Sequence, residues 1–255
     1  MTARLLERQR RTFDSLVDNG IYSAGFDHAP KAKSFASSVL AAVGPRLPRR
    51  VPLTVLDCGC GTGAWLSFLH HWLTQAGMAD IRLCGFDLSQ RMIDVARDRL
   101  QALAVPADLR TGNVLERQSF AFEGVSAGFD LIFTYDVVQQ VPRQRQVEAC
   151  KMMVTALAPA GWALIFDNDS ATRFGRRMAL RKILTRYCGL RLVPRYYCNA
   201  SYPPLAQIQQ DFDSSPLTRA RIMVRADGIK RAMIVQRHAV IGEPGAPQQA
   251  ERPGS

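Results

Sequence analysis

The sequence predicts an α/β domain built on a doubly wound, mostly parallel sheet that closes with a C-terminal antiparallel hairpin. Three observations lead there. Apolar runs of strand length alternate with segments of helical period between residues 51 and 167. A glycine-rich turn, Asp57-Cys58-Gly59-Cys60-Gly61-Thr62-Gly63, sits where the first such run meets a helix. Near the C-terminus, Asp227-Gly228 separates two strand-like runs, the composition of a two-residue hairpin turn.

The elements follow in order. Residues 3–19 place Leu5, Leu6, Phe13, Leu16 and Val17 on one helical face, and Asn19-Gly20 stops the helix. After a loop at 20–30, a second amphipathic helix from Lys31 to Val43 carries Phe35, Val39, Leu40 and Val43, and ends at Gly44-Pro45. Val51–Asp57 reads as a buried strand, and Ala64–Gln75 as a helix with Leu66, Leu69, Trp72 and Leu73 inward. Ile81–Phe86 is a strand; Ser89 caps a helix through Leu103 with Met92, Ala96, Leu100 and Leu103 on one face. Leu109–Gly112 is a weak strand and Phe129–Tyr135 a strong one, followed by a helix at about 143–158 and a strand at Trp162–Asp167. Thr218–Ala226 and Ile229–Arg237 form the hairpin, and residues 241–255 lack any apolar period, as a disordered tail does.

Composition sets bounds. With 255 residues, 47% hydrophobic and 22% charged, the chain can bury the core of one α/β domain. No apolar run reaches the length of a membrane-spanning helix, and the basic N-terminus lacks the apolar stretch of a secretory signal, so a cytoplasmic protein is expected. Six cysteines without a C-x-x-C pair argue for reduced thiols over disulfides or structural zinc. The net charge of +11 raises three partner classes: nucleic acid, an anionic membrane surface, or an acidic small substrate.

The glycine turn admits two readings. Gly59, Gly61 and Ala64 satisfy the dinucleotide pattern G-x-G-x-x-[GA]. Asp57, two residues before the first glycine, opposes a pyrophosphate but suits a ligand with an ammonium or sulfonium group. Asp87 ends the next strand, where a carboxylate can accept both hydroxyls of a ribose, and Leu88-Ser89-Gln90-Arg91-Met92-Ile93 starts the following helix. This combination resembles the class I S-adenosylmethionine-dependent methyltransferases, with an acid followed by G-x-G-x-G and then D-x-S-x-x-M-I. Gly112-Asn113-Val114 is similar to the family's Gly-Asp third-strand motif, with Asn113 in place of the Asp. Phe129-Asp130-Leu131-Ile132 resembles its fourth strand, and Ala158–Phe166 its L-x-P-G-G run into the fifth.

The resemblance implies a Rossmann-like, seven-stranded methyltransferase fold with S-adenosyl-L-methionine as cofactor. It implies that Gly59, Gly61 and Gly63 line the methionine end and Asp57 organises its ammonium. Asp87 would hold the ribose, Leu88 and Met92 would lie beside the adenine, and Asn113 and Val114 would meet the adenine edge. It further implies a helical lid over residues 1–44, a cofactor-binding domain over 45–240, and an acceptor-side insert at about 170–210. Cys58 and Cys60 read as packing residues.

Methyl transfer from a sulfonium asks the protein for alignment and, for some acceptors, removal of a proton. Related enzymes carry V-L-H-H after the fourth strand; here Gln139 and Gln140 replace the histidines, leaving Asp136 or Tyr135 to face the acceptor. His28, in the N-terminal loop with Tyr22 and Phe26, is a third candidate base, whereas His70 and His71 adjoin a scaffold helix. Asp136 with Asp167 and Asn168 also resembles the Mg²⁺ ligands of catechol-type relatives; this is the lesser reading, since Asp and Asn are common turn residues after strands.

Between Ser170 and Gln210 stand eight basic residues (Arg173, Arg176, Arg177, Arg181, Lys182, Arg186, Arg191, Arg195) and no acid. Met178, Leu180, Ile183, Leu184 and Tyr187 give its first half an apolar side, and Tyr196, Tyr197 and Tyr202 follow. The segment admits docking on an anionic membrane, nucleic-acid binding, a pocket for an anionic metabolite, or a solvated helix whose apolar side packs on the sheet. No N-P-P-Y follows the fourth strand and no Pro-Cys occurs, which disfavours amino-group methylation of adenine or glutamine and cytosine C5 methylation. The expectation is methyl transfer to an O, N or C nucleophile of a small-molecule or lipid-linked acceptor, in specialised or cell-envelope metabolism, with peripheral contact at the inner face of a membrane an option. An RNA methyltransferase using residues 173–195 and a non-catalytic cofactor-binding subunit are the alternatives.

Overall fold

A computed structural model describes residues 3–19, 30–194 and 198–238, with side chains from residue 7 onward. The expectations for Leu5, Leu6, Tyr22, Phe26, His28, Arg195, Tyr196, Tyr197 and the 241–255 tail therefore lie outside the described residues.

Helices α1 (Ala3–Asp18) and α2 (Pro30–Val43) precede β1 (Leu53–Cys58), α3 (Ala64–Gln75), β2 (Ile81–Asp87), α4 (Gln90–Ala102) and β3 (Ala107–Thr111). Then come β4 (Phe129–Tyr135), α5 (Gln146–Thr155), β5 (Leu157–Asn168), α6 (Arg173–Tyr187), α7 (Leu205–Asp213), β6 (Thr218–Val224) and β7 (Lys230–Arg237). Among the described residues seven strands form one sheet in the order β3-β2-β1-β4-β5-β7-β6. The first five run parallel, and β7 is antiparallel to both β5 and β6.

Strands buried on both faces read as continuous apolar runs, because neighbouring residues serve opposite cores. Val55, Leu131, Leu164 and Ile234 meet α2, α3 and α4 through Val39, Leu40, Leu66, Leu69 and Ile93. Their neighbours Leu56, Ile132, Ile165 and Val235 meet α5 and α7 through Cys150, Met153, Leu205 and Ile208. Ser89 caps α4 as expected, its hydroxyl accepting from the Met92 N–H at 3.0 Å.

Several boundaries move. Val51 is 82% exposed, and β1 starts at Leu53. Leu103 ends α4 and turns outward, correcting its inward placement. The helix expected at 143–158 is shorter, because Leu157 already pairs with Phe129 in β5. A register shift then carries the ladder to Trp162 opposite Leu131, and Ala160 adopts φ 64° within it. Helix α7 was not foreseen, although Leu205, Ile208 and Phe212 recur at helical spacing. The largest difference is α6. It contributes to neither core, burying only Gly175 and Lys182, so the expectation that its apolar side packs on the sheet does not hold.

Asp130, buried at the start of β4, accepts from the Thr54 backbone N–H and hydroxyl, each at 2.9 Å, with Arg50 3.5 Å away. Replacing it strands those donors between two central strands. We expect Asp130→Ala to lower unfolding stability by about 2 kcal/mol, read as a shifted urea midpoint at unchanged slope.

Candidate functional site

The strand order reverses between β1 and β4, and a crevice opens at their carboxyl ends, where doubly wound sheets hold ligands. The turn after β1 is pulled down onto β2: the N–H groups of Gly59 and Cys60 both donate to the Phe86 carbonyl, at 2.8 and 3.0 Å. Such an approach leaves no room for a side chain. Gly59 has φ 74°, and a Cβ there would lie 2.4 Å from Val137 Cγ2. Gly63 caps α3 at φ 77°, with Ala96 Cβ 3.1 Å from where its own Cβ would be.

Asp87 sits at the tip of β2. One carboxylate oxygen accepts the Gly61 N–H at 3.0 Å and the other the Ser89 N–H at 2.9 Å. Burial raises its pKa, and the surrounding amides oppose that rise. Each oxygen keeps a second lone pair for a ligand hydroxyl. Asp57 differs: it is buried, and among the described residues neither of its oxygens has a hydrogen-bond partner. Burial first, then the negative charge of Asp87, pushes its pKa well up. Burial does the same to the Cys58 and Cys60 thiols, leaving them protonated packing groups.

A cavity of about 150 Å³ opens over this turn. Gly59, Asp87, Leu88, Met92, Asn113 and Val114 line it, as do Tyr135, Asp136, Val137 and Gln139 from the end of β4 and the turn after it. Asp57, Gly61 and Gly63 are not among its walls and lie behind them. The Asn113 amide serves its own turn, accepting from the Leu115 N–H at 3.1 Å and donating to Glu116 at 3.0 Å. Gln9, Thr12, Phe13 and Leu16 of α1 complete the wall. Helix α1 is held by Asp14 to the Ser89 hydroxyl at 2.5 Å, Asp18 to Arg91 at 3.0 Å, and Gln9 to the Gln140 carbonyl. Sequence reasoning missed this contribution, because nothing local says where a preceding helix docks.

Tyr135 stacks on Trp65, ring centroids 4.6 Å apart, and on Phe166 at 5.4 Å. Burial, reinforced by the Asp136 charge, keeps its phenol protonated well above neutrality. Asp136 adopts φ 62°. Its carboxylate accepts from Lys230 Nζ at 2.5 Å and from Gln139 Nε2 at 2.8 Å. Lys230 was also missed; its signal was its place at the start of β7, where the ladder pairs it with Asn168. Behind this pair, Asp167 accepts the Gln139 N–H at 2.9 Å and the Asn168 N–H at 2.7 Å. Burial and the neighbouring Asp136 push its pKa up to about 8.

This arrangement corrects the Mg²⁺ reading. A lysine ammonium occupies the cation's place beside Asp136, and backbone amides take both oxygens of Asp167. No cluster of three potential metal-ligating side chains exists among the described residues. The donor set does not fit the metal.

Comparison with known proteins agrees with the geometry. Residues 55–161 match a family model described as a methyltransferase domain. A demethylmenaquinone methyltransferase of Oceanobacillus iheyensis is 29% identical over 129 residues, covering 49% of each chain. Methyltransferase tpcH of Aspergillus fumigatus is 32% identical over 68 residues, covering 27% of this chain and 24% of that one. The chain thus spans half or less of the length of these curated relatives. Among solved structures, the plantazolicin methyltransferase BpumL with a monoazolic desmethylPZN analog and SAH superposes with a TM-score of 0.60 at 15% identity, over 91% of this chain and 96% of that one. Magnesium protoporphyrin IX methyltransferase from Synechocystis PCC 6803 with bound SAH gives 0.56 at 16% identity, over 88% and 99%. These likenesses concern the fold.

The buried acids make stability depend on pH. An acid harder to ionise in the folded chain keeps its proton there longer, so stability falls as pH climbs from its unfolded to its folded value. For Asp167 that window runs from about 4 to about 8; Asp57 and Asp87 act in the same direction. Lys182, lowered by burial to about 8, acts only above that window. The ligand-free protein should therefore unfold at progressively lower urea as pH rises from 5 to 8. A midpoint that rises over this range would contradict the assignment of these three acids.

Proposed function

We propose that this chain is a class I S-adenosylmethionine-dependent methyltransferase and transfers a methyl group to a nucleophile of a small-molecule or lipid-linked acceptor. The observation that carries the reading is Asp87, a carboxylate on the cavity wall, immobilised by two backbone amides with lone pairs left for a vicinal diol. The unpartnered Asp57 fits beside it, a buried acid suited to a cationic ligand group.

S-adenosyl-L-methionine, when bound, supplies a methyl already activated on sulfur. The residues then have separate duties. Asp87 holds the ribose hydroxyls, Leu88, Met92 and Val114 give the adenine apolar walls, and Asn113 offers the base edge its remaining lone pair. Gly59, Gly61 and Gly63 let the backbone approach the methionine end, where Asp57 balances the ammonium. Helix α1 excludes water, the role of a lid.

Asp136 accepts the acceptor's proton, with Lys230 and Gln139 fixing its carboxylate. Tyr135, neutral and stacked, shapes the acceptor end rather than serving as base. Asp87 and Asp136 are the charged residues on the wall, and no lysine or arginine joins them among the described residues. That polarity favours a neutral or cationic acceptor over a carboxylated or phosphorylated one.

Asp87→Ala should weaken S-adenosylhomocysteine binding about a hundredfold by calorimetry with the fold intact; undiminished affinity would remove Asp87 from the site. Asp136→Asn keeps a residue that tolerates the left-handed backbone. It should retain cofactor affinity while turnover drops by at least about a hundredfold. Methyl-labelled cofactor incubated with protein and cell extract should place label in the small-molecule or organic fraction. Label confined to RNA would overturn the acceptor class.

A further inference from the structure

We propose that the outward face of α6, with the turn that follows it, docks on an anionic lipid bilayer. This goes beyond methyl transfer and does not depend on it. The argument begins with how α6 is attached. Its inward strip is Gly175, whose missing Cβ would lie 2.2 Å from the Asp169 carbonyl, and Lys182, whose ammonium donates to the Ala200 carbonyl at 2.8 Å. Phe174 stacks on Tyr202 at 6.2 Å.

The opposite strip faces water. Arg173, Arg176, Leu180, Ile183 and Tyr187 recur every three or four residues along it, so they share one side. Leu180 is 57% exposed, Ile183 52% and Tyr187 75%; Leu190 and Leu192, in the turn beyond, are 48% and 45% exposed. Arg177, Arg186 and Arg191 flank them and are exposed as well. Five of the nine large exposed apolar side chains of the described residues thus fall within thirteen positions.

Two features of this face select its occupant. Arg173, Arg176, Arg177, Arg186 and Arg191 are exposed on or beside it, and the 170–210 segment contains no acid, which matches a polyanionic surface. Nucleic acid would match the charge, but such interfaces are polar, and bare leucine and isoleucine gain nothing against phosphate. A bilayer interface accepts both, arginines at the headgroups and apolar side chains below them. On its inward side the helix is also linked to the cavity wall. Ala200, which Lys182 holds, lies between Asn199 on the cavity wall and Ser201, whose N–H donates to the Gln139 carbonyl at 2.7 Å.

The test is co-sedimentation of the full chain with vesicles of three parts phosphatidylcholine to one part phosphatidylglycerol, and with pure phosphatidylcholine. Binding is expected to the first and not the second, and to fall steeply in high salt. The double variant Arg176→Glu, Arg177→Glu should weaken it by more than about twentyfold, each lost arginine costing roughly fivefold. The double variant Leu180→Ser, Ile183→Ser should weaken it even at low salt. Both should keep the wild-type melting temperature and S-adenosylhomocysteine affinity, because the four side chains touch neither core nor cavity. No sedimentation with anionic vesicles at low salt would overturn the proposal, as would binding indifferent to the leucine and isoleucine changes. Transfer RNA that binds equally well to the serine variant and displaces vesicles would reassign the face to nucleic acid. Self-association abolished by the serine variant would reassign it to a second copy.

Discussion

Much of this molecule follows from one close approach, the double donation of Gly59 and Cys60 to the Phe86 carbonyl. It fastens the turn after β1 to the end of β2, and so fixes where the next residue, Asp87, can place its carboxylate. The Gly61 and Ser89 amides close on that carboxylate, and the Ser89 hydroxyl reaches Asp14 of α1. The glycine turn, α4 and the covering helix thus share one small polar node. The glycines are its condition, because the space they leave is already filled by Val137 and Ala96.

Charge is distributed with the same economy. Acids are concentrated at the crevice, where burial makes several of them reluctant to ionise, whereas Arg173, Arg176, Arg177, Arg186 and Arg191 of the 170–210 segment are exposed. Lys182 and Lys230 turn inward instead, the second between Asp136 and the Tyr135 ring, which it approaches to 4.9 Å. A buried ion pair of this kind adds little net stability, but removing one partner leaves a costly unpaired charge, so the pair serves geometry. Asp136, at φ 62°, is held where an L-residue does not settle by preference.

The alternation of strand and helix was legible because periods of two and 3.6 leave their mark on any one sequence, and the hairpin because Asp227-Gly228 has few other uses. That Asp57 and Asp87 stand near the ends of two strands beside a glycine turn was legible for the same local reason, being written in contiguous residues. What escaped reading was tertiary. Nothing local tells that Gln9 and Phe13 return to cover the crevice, that Lys230 crosses the sheet to Asp136, or that α6 turns its apolar strip outward. That last strip has the same spacing as a core-facing one, and only the chain's path after β5 decides which way it looks. The Mg²⁺ reading failed similarly, since three oxygen donors in sequence do not reveal the ammonium already beside them.

The bond between Asp136 and Lys230 joins residues 94 positions apart, and this gives the two ends of the crevice different histories. Asp87 and the Gly61 and Ser89 amides that hold its carboxylate all precede residue 90. The Asp136 end is incomplete until β7 slides in beside β5. During synthesis, the residues that hold the Asp87 carboxylate therefore emerge well before Lys230, which holds that of Asp136. Order of manufacture thereby separates the two carboxylates, one anchored by near neighbours and the other by a strand close to the end of the chain.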